Sequence, residues 1–264
     1  MNQTPQLFSR LSRLSLGGVG LVLAAVWGLK LAKVARSTVS YAHYWATPQG
    51  RSGGLLYVAL GDSAAQSIGA SRPEHGYVGV LAQRLRDSTG QRVQVVNLSR
   101  SGARLHDVID SQIPALAALG RTPHVITVAI GGNDILQYDR AAFSSASDRL
   151  TSALPCGTYV ADVPYFMHGH WERQARQAAR VLTTSATSHG LRPVALHEAL
   201  EAQGLRAMLN QYAADWFHPN DRGHRVWADA FWQQMSAERG DQVGMPRQAE
   251  VLQGEPVKLF KSQP

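Results

Sequence analysis

The chain has 264 residues, of which 44% are hydrophobic and 17% are charged. These proportions are typical of globular proteins and exclude a wholly disordered chain, and the length suits one domain with additional segments. The net charge is +7, but the first 54 residues carry six basic and no acidic residues, which leaves 20 basic against 19 acidic residues in the remainder. Because that remainder is nearly neutral, the charge distribution argues against a nucleic-acid partner.

The single cysteine, Cys156, excludes an internal disulfide and a cysteine-cluster metal site. A thiol acts as a nucleophile only beside a group that activates it, and the neighbours Pro155 and Gly157 provide none. We therefore expect Cys156 to be a small buried residue of the core.

The start of the chain holds an apolar segment between basic residues. Residues 14–29 contain no charge, and Lys30 and Lys33 follow them. Sixteen residues are fewer than the roughly 20 that a membrane-spanning helix needs, but lysine stems can extend the span. The pattern predicts a membrane-anchor helix or signal segment over residues 1–36, with the membrane as a partner and the protein held at that membrane or secreted.

Two alternatives for this segment stay open. Cleavage as a signal peptide is less favoured, because the small residues Ser40 and Ala42 lie well beyond the apolar run. A peripheral or buried helix is the other alternative. The basic residues at the two ends are balanced, so they do not decide the orientation in a membrane. Residues 37–54 are predicted as a linker and residues 239–264 as a polar C-terminal tail.

Short apolar runs alternate with helix-length segments in the interval between linker and tail. The five predicted strands are Leu55–Leu60, Val93–Leu98, Val125–Ile130, Thr158–Val163 and Pro193–Leu196. The five predicted helices are Tyr77–Asp87, Leu105–Leu119 with a kink at Pro114, Ala141–Leu154, His170–Ser188 and Gly223–Glu238. This order predicts an α/β domain over residues 55–238, with a five-stranded, mainly parallel sheet covered on both faces.

Polar turns follow the first three predicted strands. Ser63 lies in the turn after the first strand, Gly102 after the second and Asn133 after the third. Ligands of open α/β sheets bind at the carboxyl ends of the strands, so these turns should meet at one site. Attack of a serine oxygen on an ester creates an oxyanion, which the Ser63 N–H, the Gly102 N–H and the Asn133 amide could stabilise.

A serine hydroxyl needs a base beside it, and the base needs a carboxylate that orients it. Asp215 and His218 lie three residues apart in the loop before the last predicted helix. This spacing lets the carboxylate reach one imidazole nitrogen while the other nitrogen faces the sheet edge. The sequence therefore predicts a catalytic triad of Ser63, His218 and Asp215.

These blocks, in this order, resemble the GDSL family of the SGNH hydrolases over residues 60–218. The resemblance implies Ser63 as nucleophile and oxyanion donor, Gly102 and Asn133 as further donors, and Asp215 and His218 as the rest of the triad. It also implies a flavodoxin-like three-layer sandwich and a metal-independent esterase, lipase or thioesterase without a cofactor. Ala64 replaces the leucine of the name motif, at a position without a catalytic role.

Other histidines and aromatic residues have plainer interpretations. His168 and His170 have no carboxylate or cysteine at metal-ligand spacing, which favours a surface loop. His224 is expected to pack or to face solvent. The aromatic residues near the predicted site could line an acyl pocket or belong to the core, so the substrate stays open between a short acyl ester, a membrane lipid and an envelope glycan ester.

The sequence leaves a second class of function to be tested. A membrane-tethered binding module could keep the same fold and a serine-lined pocket without turnover. Every predicted catalytic position holds a competent residue, which favours the enzyme.

Overall fold

A five-stranded sheet with strand order β2-β1-β3-β4-β5 forms the centre of the protein. All four neighbouring pairs are parallel. The structure is a computed structural model that describes residues 5–204 and 206–242. This strand order is that of flavodoxin-like sheets, in which ligands bind at the switch point between the first and third strands. The predicted α/β class and parallel sheet are confirmed.

The strands and helices alternate along the chain. The strands are β1 Leu55–Gly61, β2 Val93–Asn97, β3 Val125–Ala129, β4 Tyr159–Ala161 and β5 Arg192–Val194. The helices are α1 Pro5–Trp45, α2 Tyr77–Thr89, α3 Leu105–Asp107, α4 Ile113–Ala117, α5 Arg140–Ala153, α6 Gly169–Ser188, α7 Leu196–Glu201, α8 Arg206–Asn210 and α9 Asp221–Gln242. A π-helical turn, Val108–Gln112, joins α3 to α4.

Two apolar layers cover the sheet, one on each face. Every residue of β1 is buried, and its side chains alternate between the layers, as the two-residue period of a strand requires. Tyr57 and Ala59 belong to the layer under α2 and α9, and Val58 and Leu60 to the layer under α5 and α6. The helices therefore enclose the sheet on both sides and leave the carboxyl ends of its strands to form the site.

The region around Pro114 differs in detail from the single kinked helix predicted over residues 105–119. Proline lacks the N–H that an α-helix needs at an interior position. The chain accommodates Pro114 at the start of α4, directly after the π-helical turn. The short helices α7 and α8 were not predicted, because five or six residues carry too little periodicity to be recognised.

The predicted linker at residues 37–54 differs from the structure. Helix α1 continues to Trp45, and the side chains of Tyr41 and Trp45 are buried in the layer under α9. Beyond the helix, Gln49 pairs with Val95 of the edge strand through two backbone hydrogen bonds of 2.8 Å. This segment is packed because its apolar side chains recur on one helical face at a spacing of four residues.

The N-terminal segment gives no support to the predicted membrane anchor over residues 1–36. Within the described part of the chain, none of the helices combines the length and apolar character needed to cross a bilayer. Residues 1–4 of the segment lie outside the described residues, and so do residues 243–264 of the predicted C-terminal tail.

The prediction that Cys156 is buried was wrong, because the residue is exposed. Its thiol lies in the turn before β4 and donates to the Gly190 carbonyl at 3.3 Å. Gly157 in this turn has a φ of +78°, which lies in the left-handed region that favours glycine. Turns that connect a helix to a strand run over the protein surface, which explains the exposure of Cys156.

Candidate active site

Ser63 stands two residues beyond the end of the central strand β1. The strand ends at Gly61, whose φ is +144° and where an added Cβ would lie 2.2 Å from the Ala129 carbonyl oxygen of β3. Only glycine allows this close approach of two backbones. Ile68 N–H then donates to the Ser63 carbonyl at 3.0 Å, which closes the turn that presents the hydroxyl.

The structure brings together the three residues predicted as a triad. The Ser63 Oγ lies 2.9 Å from His218 Nε2, and His218 Nδ1 lies 2.6 Å from Asp215 Oδ2. His218 and Ser63 are 155 residues apart in the chain, so this contact comes from the fold and not from local sequence. With Nδ1–H donating to Asp215, Nε2 is left to accept the Ser63 hydroxyl hydrogen.

The loop that carries Asp215 and His218 is held by its own backbone. Asp215 Oδ1 accepts hydrogen bonds from the N–H groups of Phe217 and His218, each at 3.1 Å. Burial by itself would raise the pKa of Asp215, but the hydrogen bonds from the His218 ring and from these two amides outweigh it and lower the pKa. Trp216, the residue after Asp215, has a φ of +57°, a conformation that is strained for a side chain of this size.

Gln66 connects the Ser63 turn to the turn after β2. Its Nε2 donates to the Ser99 carbonyl at 2.9 Å, and its Oε1 accepts from the Ser101 N–H at 3.0 Å. Gly102 follows with φ +78°, while the space around its Cα is open. A glycine is therefore favoured here by its backbone angle, which lies in the left-handed region.

The three predicted oxyanion donors lie in turns at this same sheet edge. Among the described residues, neither the Ser63 N–H nor the Gly102 N–H has a hydrogen-bond acceptor in the protein. The Asn133 Nδ2 donates to the Ala103 carbonyl at 2.9 Å, which fixes its amide against the Gly102 turn and uses one of its two hydrogens. The structure thus leaves donors free on all three residues.

Two further carboxyls lie beside the site. Burial raises the pKa of Asp62, which precedes Ser63, to about 6, against a hydrogen bond from the Ala64 N–H that lowers it. Burial also raises the pKa of Asp134, after Asn133, to about 6. Asp134 supports the Asn133 turn by accepting from the Leu105 N–H at 3.4 Å.

An apolar cavity of about 420 Å³ opens beside Ser63 and His218. Leu136, Trp171, Trp216 and Phe217 line it, and each of these large side chains is exposed. The residues that follow β4 contribute Tyr165, Phe166, Met167 and His168. Of the two interpretations left open by the sequence, the lining of an acyl pocket fits these aromatic residues better than membership of the core.

A buried pair that sequence reasoning missed holds the wall of this cavity. His197 Nε2 lies 3.1 Å from Glu172 Oε1, and His197 Nδ1 lies 3.0 Å from the Val163 carbonyl. Glu172 Oε2 in turn accepts from the Phe166 N–H at 2.9 Å. Both partners lie on separate helices with no motif around them, although a glutamate on the buried face of α6 was a signal that a partner was needed.

The three other histidines considered in the sequence analysis, His168, His170 and His224, lie where that analysis expected them. His168 and His170 are exposed on the loop before α6 and at its start. Within the described residues, no group of three or more potential metal ligands was found. His224 is fully buried, with Nε2 3.0 Å from the Ile68 carbonyl and Nδ1 accepting from the Tyr77 N–H at 3.4 Å.

A comparison with protein-family models shows which family the chain belongs to. A family model described as the GDSL-like lipase/acylhydrolase family matches residues 59–226, more than half of the chain. The chain belongs to this family. The match confirms the resemblance that the motifs indicated, and with it the prediction of an ester hydrolase. No match was found among curated proteins.

Solved structures of similar fold include three enzymes. An α/β hydrolase named LAE5, from the metagenome of Lake Arreo, is 22% identical with a TM-score of 0.58, over 70% of this chain and 95% of that one. Axe2, an acetylxylan esterase from Geobacillus stearothermophilus, is 22% identical with a TM-score of 0.53, over 69% and 94%. TesA is 23% identical with a TM-score of 0.57, over 69% and 98%. At these identities the likeness shows the fold alone.

Proposed function

We propose that this GDSL hydrolase cleaves carboxylic esters through Ser63, His218 and Asp215. The observation that carries the proposal is the continuous line of hydrogen bonds from Ser63 Oγ through His218 to Asp215. In the first step His218 Nε2 takes the proton from Ser63 as Oγ attacks the ester carbonyl carbon. The positive charge that this proton places on the His218 ring is stabilised by the Asp215 carboxylate, which stays ionised and holds the ring in the required tautomer.

The oxyanion of the tetrahedral intermediate would be bound by the N–H groups of Ser63 and Gly102 and by the second Asn133 amide hydrogen. Fixed donors of this kind usually supply the largest single catalytic contribution. As the intermediate collapses, His218 returns the proton to the departing alcohol and an acyl-Ser63 ester remains. Water then attacks this ester, with His218 again as the base, and releases the carboxylic acid and free Ser63.

The apolar cavity supports a substrate whose acyl group is a hydrocarbon chain. Tyr165, Phe166, Trp171 and Phe217 offer the cavity no charged group, and burial of apolar surface gains about 25 cal/mol per Å². An acetyl group would leave most of a 420 Å³ cavity empty. We therefore favour an acyl chain of several carbons over the acetyl ester.

A panel of p-nitrophenyl esters of increasing acyl length tests this proposal. We expect kcat/KM to rise from acetate to chains of intermediate length. Opening the cavity with Phe217→Ala should shift the optimum towards longer chains, while Leu209→Ala, an exposed residue that does not line the cavity, should leave it in place. Hydrolysis restricted to acetate would contradict the assignment of the acyl group, and a complete lack of hydrolysis would favour the binding-module alternative.

A further inference from the structure

A second cavity, of about 740 Å³, lies between α1, the start of α9 and the loop before α9. Its charged lining consists of Lys30 and Lys33 of α1 together with Arg222, Arg225 and Asp221 of α9. We call it the basic cavity, because four cationic side chains face a single carboxylate. The two helices that supply the cations are far apart in sequence, so the fold has brought like charges together.

The carboxylate of the basic cavity is already occupied by hydrogen bonds. Asp221 Oδ1 accepts from the Ser71 N–H at 2.6 Å, and Oδ2 accepts from the Ser71 hydroxyl at 2.7 Å. His75 Nδ1 also lies 3.1 Å from Asp221 Oδ2. Asp221 therefore serves the Ser71 turn and has little capacity left to neutralise the cations around it.

The cations of the basic cavity lack partners of opposite charge. Lys30, Lys33 and Arg222 are exposed and form no ion pair with any residue that the structure describes. Arg225 Nε donates to the Asp221 backbone carbonyl at 3.2 Å, which leaves its other guanidinium hydrogens available. Like charges gathered in a concave site raise the local concentration of an anion.

The basic cavity and the apolar cavity share a wall. Tyr212 and Trp216 line both of them. Trp216 stands between the triad residues Asp215 and His218, and Trp27 of α1 stacks on its ring. A molecule in the basic cavity would therefore lie on the outer side of the loop that carries the catalytic base.

We propose that the basic cavity binds a phosphate group. Phosphate carries close to two negative charges at neutral pH and offers several acceptor oxygens, which suits an excess of cations better than a carboxylate does. Arginine binds phosphate through paired hydrogen bonds and lysine through a compact charge, so the two residue types complement each other here. The group is either part of the ester substrate or a free phosphate.

Isothermal titration of the full chain with inorganic phosphate tests the site directly. We expect saturable binding at one site, weakened about tenfold or more by Lys33→Gln and by Arg225→Gln and retained by Lys33→Arg. Arg180→Gln is the control, because Arg180 is exposed on α6 and lines neither cavity. Unchanged circular dichroism spectra and melting temperatures would show that each variant is folded.

The binding itself does not rest on the proposed ester hydrolysis, so the titration is repeated with Ser63→Ala. Phosphate binding in that variant, whether or not the wild type hydrolyses esters, supports the basic cavity. Absence of saturable binding up to millimolar phosphate, or equal binding in the double variant Lys33→Gln with Arg225→Gln, would overturn it.

A pair of matched esters then distinguishes a phosphate group of the substrate from free phosphate. This second experiment rests on the proposed function, because it measures ester hydrolysis. The esters share one acyl chain, and only one carries a phosphate on its alcohol. A lower KM for the phosphate ester, with inorganic phosphate as a competitor, assigns the cavity to the substrate. Equal KM values alongside measured phosphate binding assign it to free phosphate.

Discussion

Trp27 of α1 stacks on Trp216 of the loop before α9, with ring centroids 6.0 Å apart and planes inclined by 28°. The stacked pair joins a helix that precedes the hydrolase family match to the loop between Asp215 and His218. Further along the same helix, Tyr41 donates to the Ala70 carbonyl at 2.9 Å, in the segment that follows Ser63. The C-terminal half of α1 is therefore part of the catalytic domain.

Replacement of Trp45 by alanine should lower the free energy of unfolding by about 3 to 5 kcal/mol, the usual cost of emptying a core position of this size. Its side chain is 5% exposed, and its Nε1 donates to the Gln66 carbonyl at 3.3 Å. Urea denaturation measures the change. Trp171→Ala is the matched control, because Trp171 is 53% exposed, and should cost less than about 1 kcal/mol. Equal losses in the two variants would mean that α1 does not pack as described.

Loss of the Asn133 amide should lower kcat by about 10²-fold to 10³-fold and leave KM nearly unchanged, because the oxyanion exists only after attack. Steady-state kinetics of Asn133→Ala on a chromogenic ester measures both constants. Gln137→Ala removes an exposed amide from the adjacent turn and should change neither. An effect confined to KM would remove Asn133 from the oxyanion hole.

The substitution Asp215→Asn should lower kcat by as much as about 10⁴-fold, because an amide no longer holds His218 in the tautomer that frees Nε2. Asp148→Asn serves as the control, since Asp148 also contacts a histidine, His189 Nε2 at 2.8 Å, but on the exposed surface. Its activity should equal that of the wild type. Full activity of Asp215→Asn would exclude the orienting role.

Burial lowers the pKa of His224 to about 4. The unfolded chain takes up a proton at this histidine near pH 6.5, whereas the folded chain resists protonation until about pH 4. Stability is therefore lost as the pH falls through this window, by up to about 3 kcal/mol from this residue. In His224→Gln the free energy of unfolding should fall less steeply between pH 6.5 and 4. His170→Gln, at an exposed position, should keep the wild-type slope, and the same slope in both variants would refute the assignment.

Much of the fold could be predicted from local pattern. The runs that became β1 and β3 are buried on both faces, so they stand out as continuous apolar segments between turns. The strand order was implied by the resemblance and is now observed. The helical state and packing of residues 37–45 were not predicted, because Pro48 and the glycines from Gly50 onward follow this segment closely and indicate a linker.

In the candidate site, too, the features set by local sequence could be predicted and those set by packing could not. Ser63 could be predicted because it lies in the turn after a strand, and Asp215 and His218 because they lie three residues apart in the loop before the last helix. The Glu172–His197 pair could not be predicted, because its partners meet only after the helices α6 and α7 have packed. The basic cavity was also missed, since Lys30 and Lys33 appear in sequence as the flank of an apolar run.

The central claim is that His218 activates Ser63, and labelling with a fluorophosphonate measures this most directly. The reagent should label Ser63 alone, because its hydroxyl lies 2.9 Å from His218 Nε2, which can accept its proton. Ser71 is an internal control, because its Oγ lies 2.8 Å from His75 Nδ1 but donates to Asp221, so Ser71→Ala should leave labelling unchanged. His218→Ala should abolish rapid labelling. Labelling that persists at the full rate in His218→Ala, or that maps to another serine, would contradict the account.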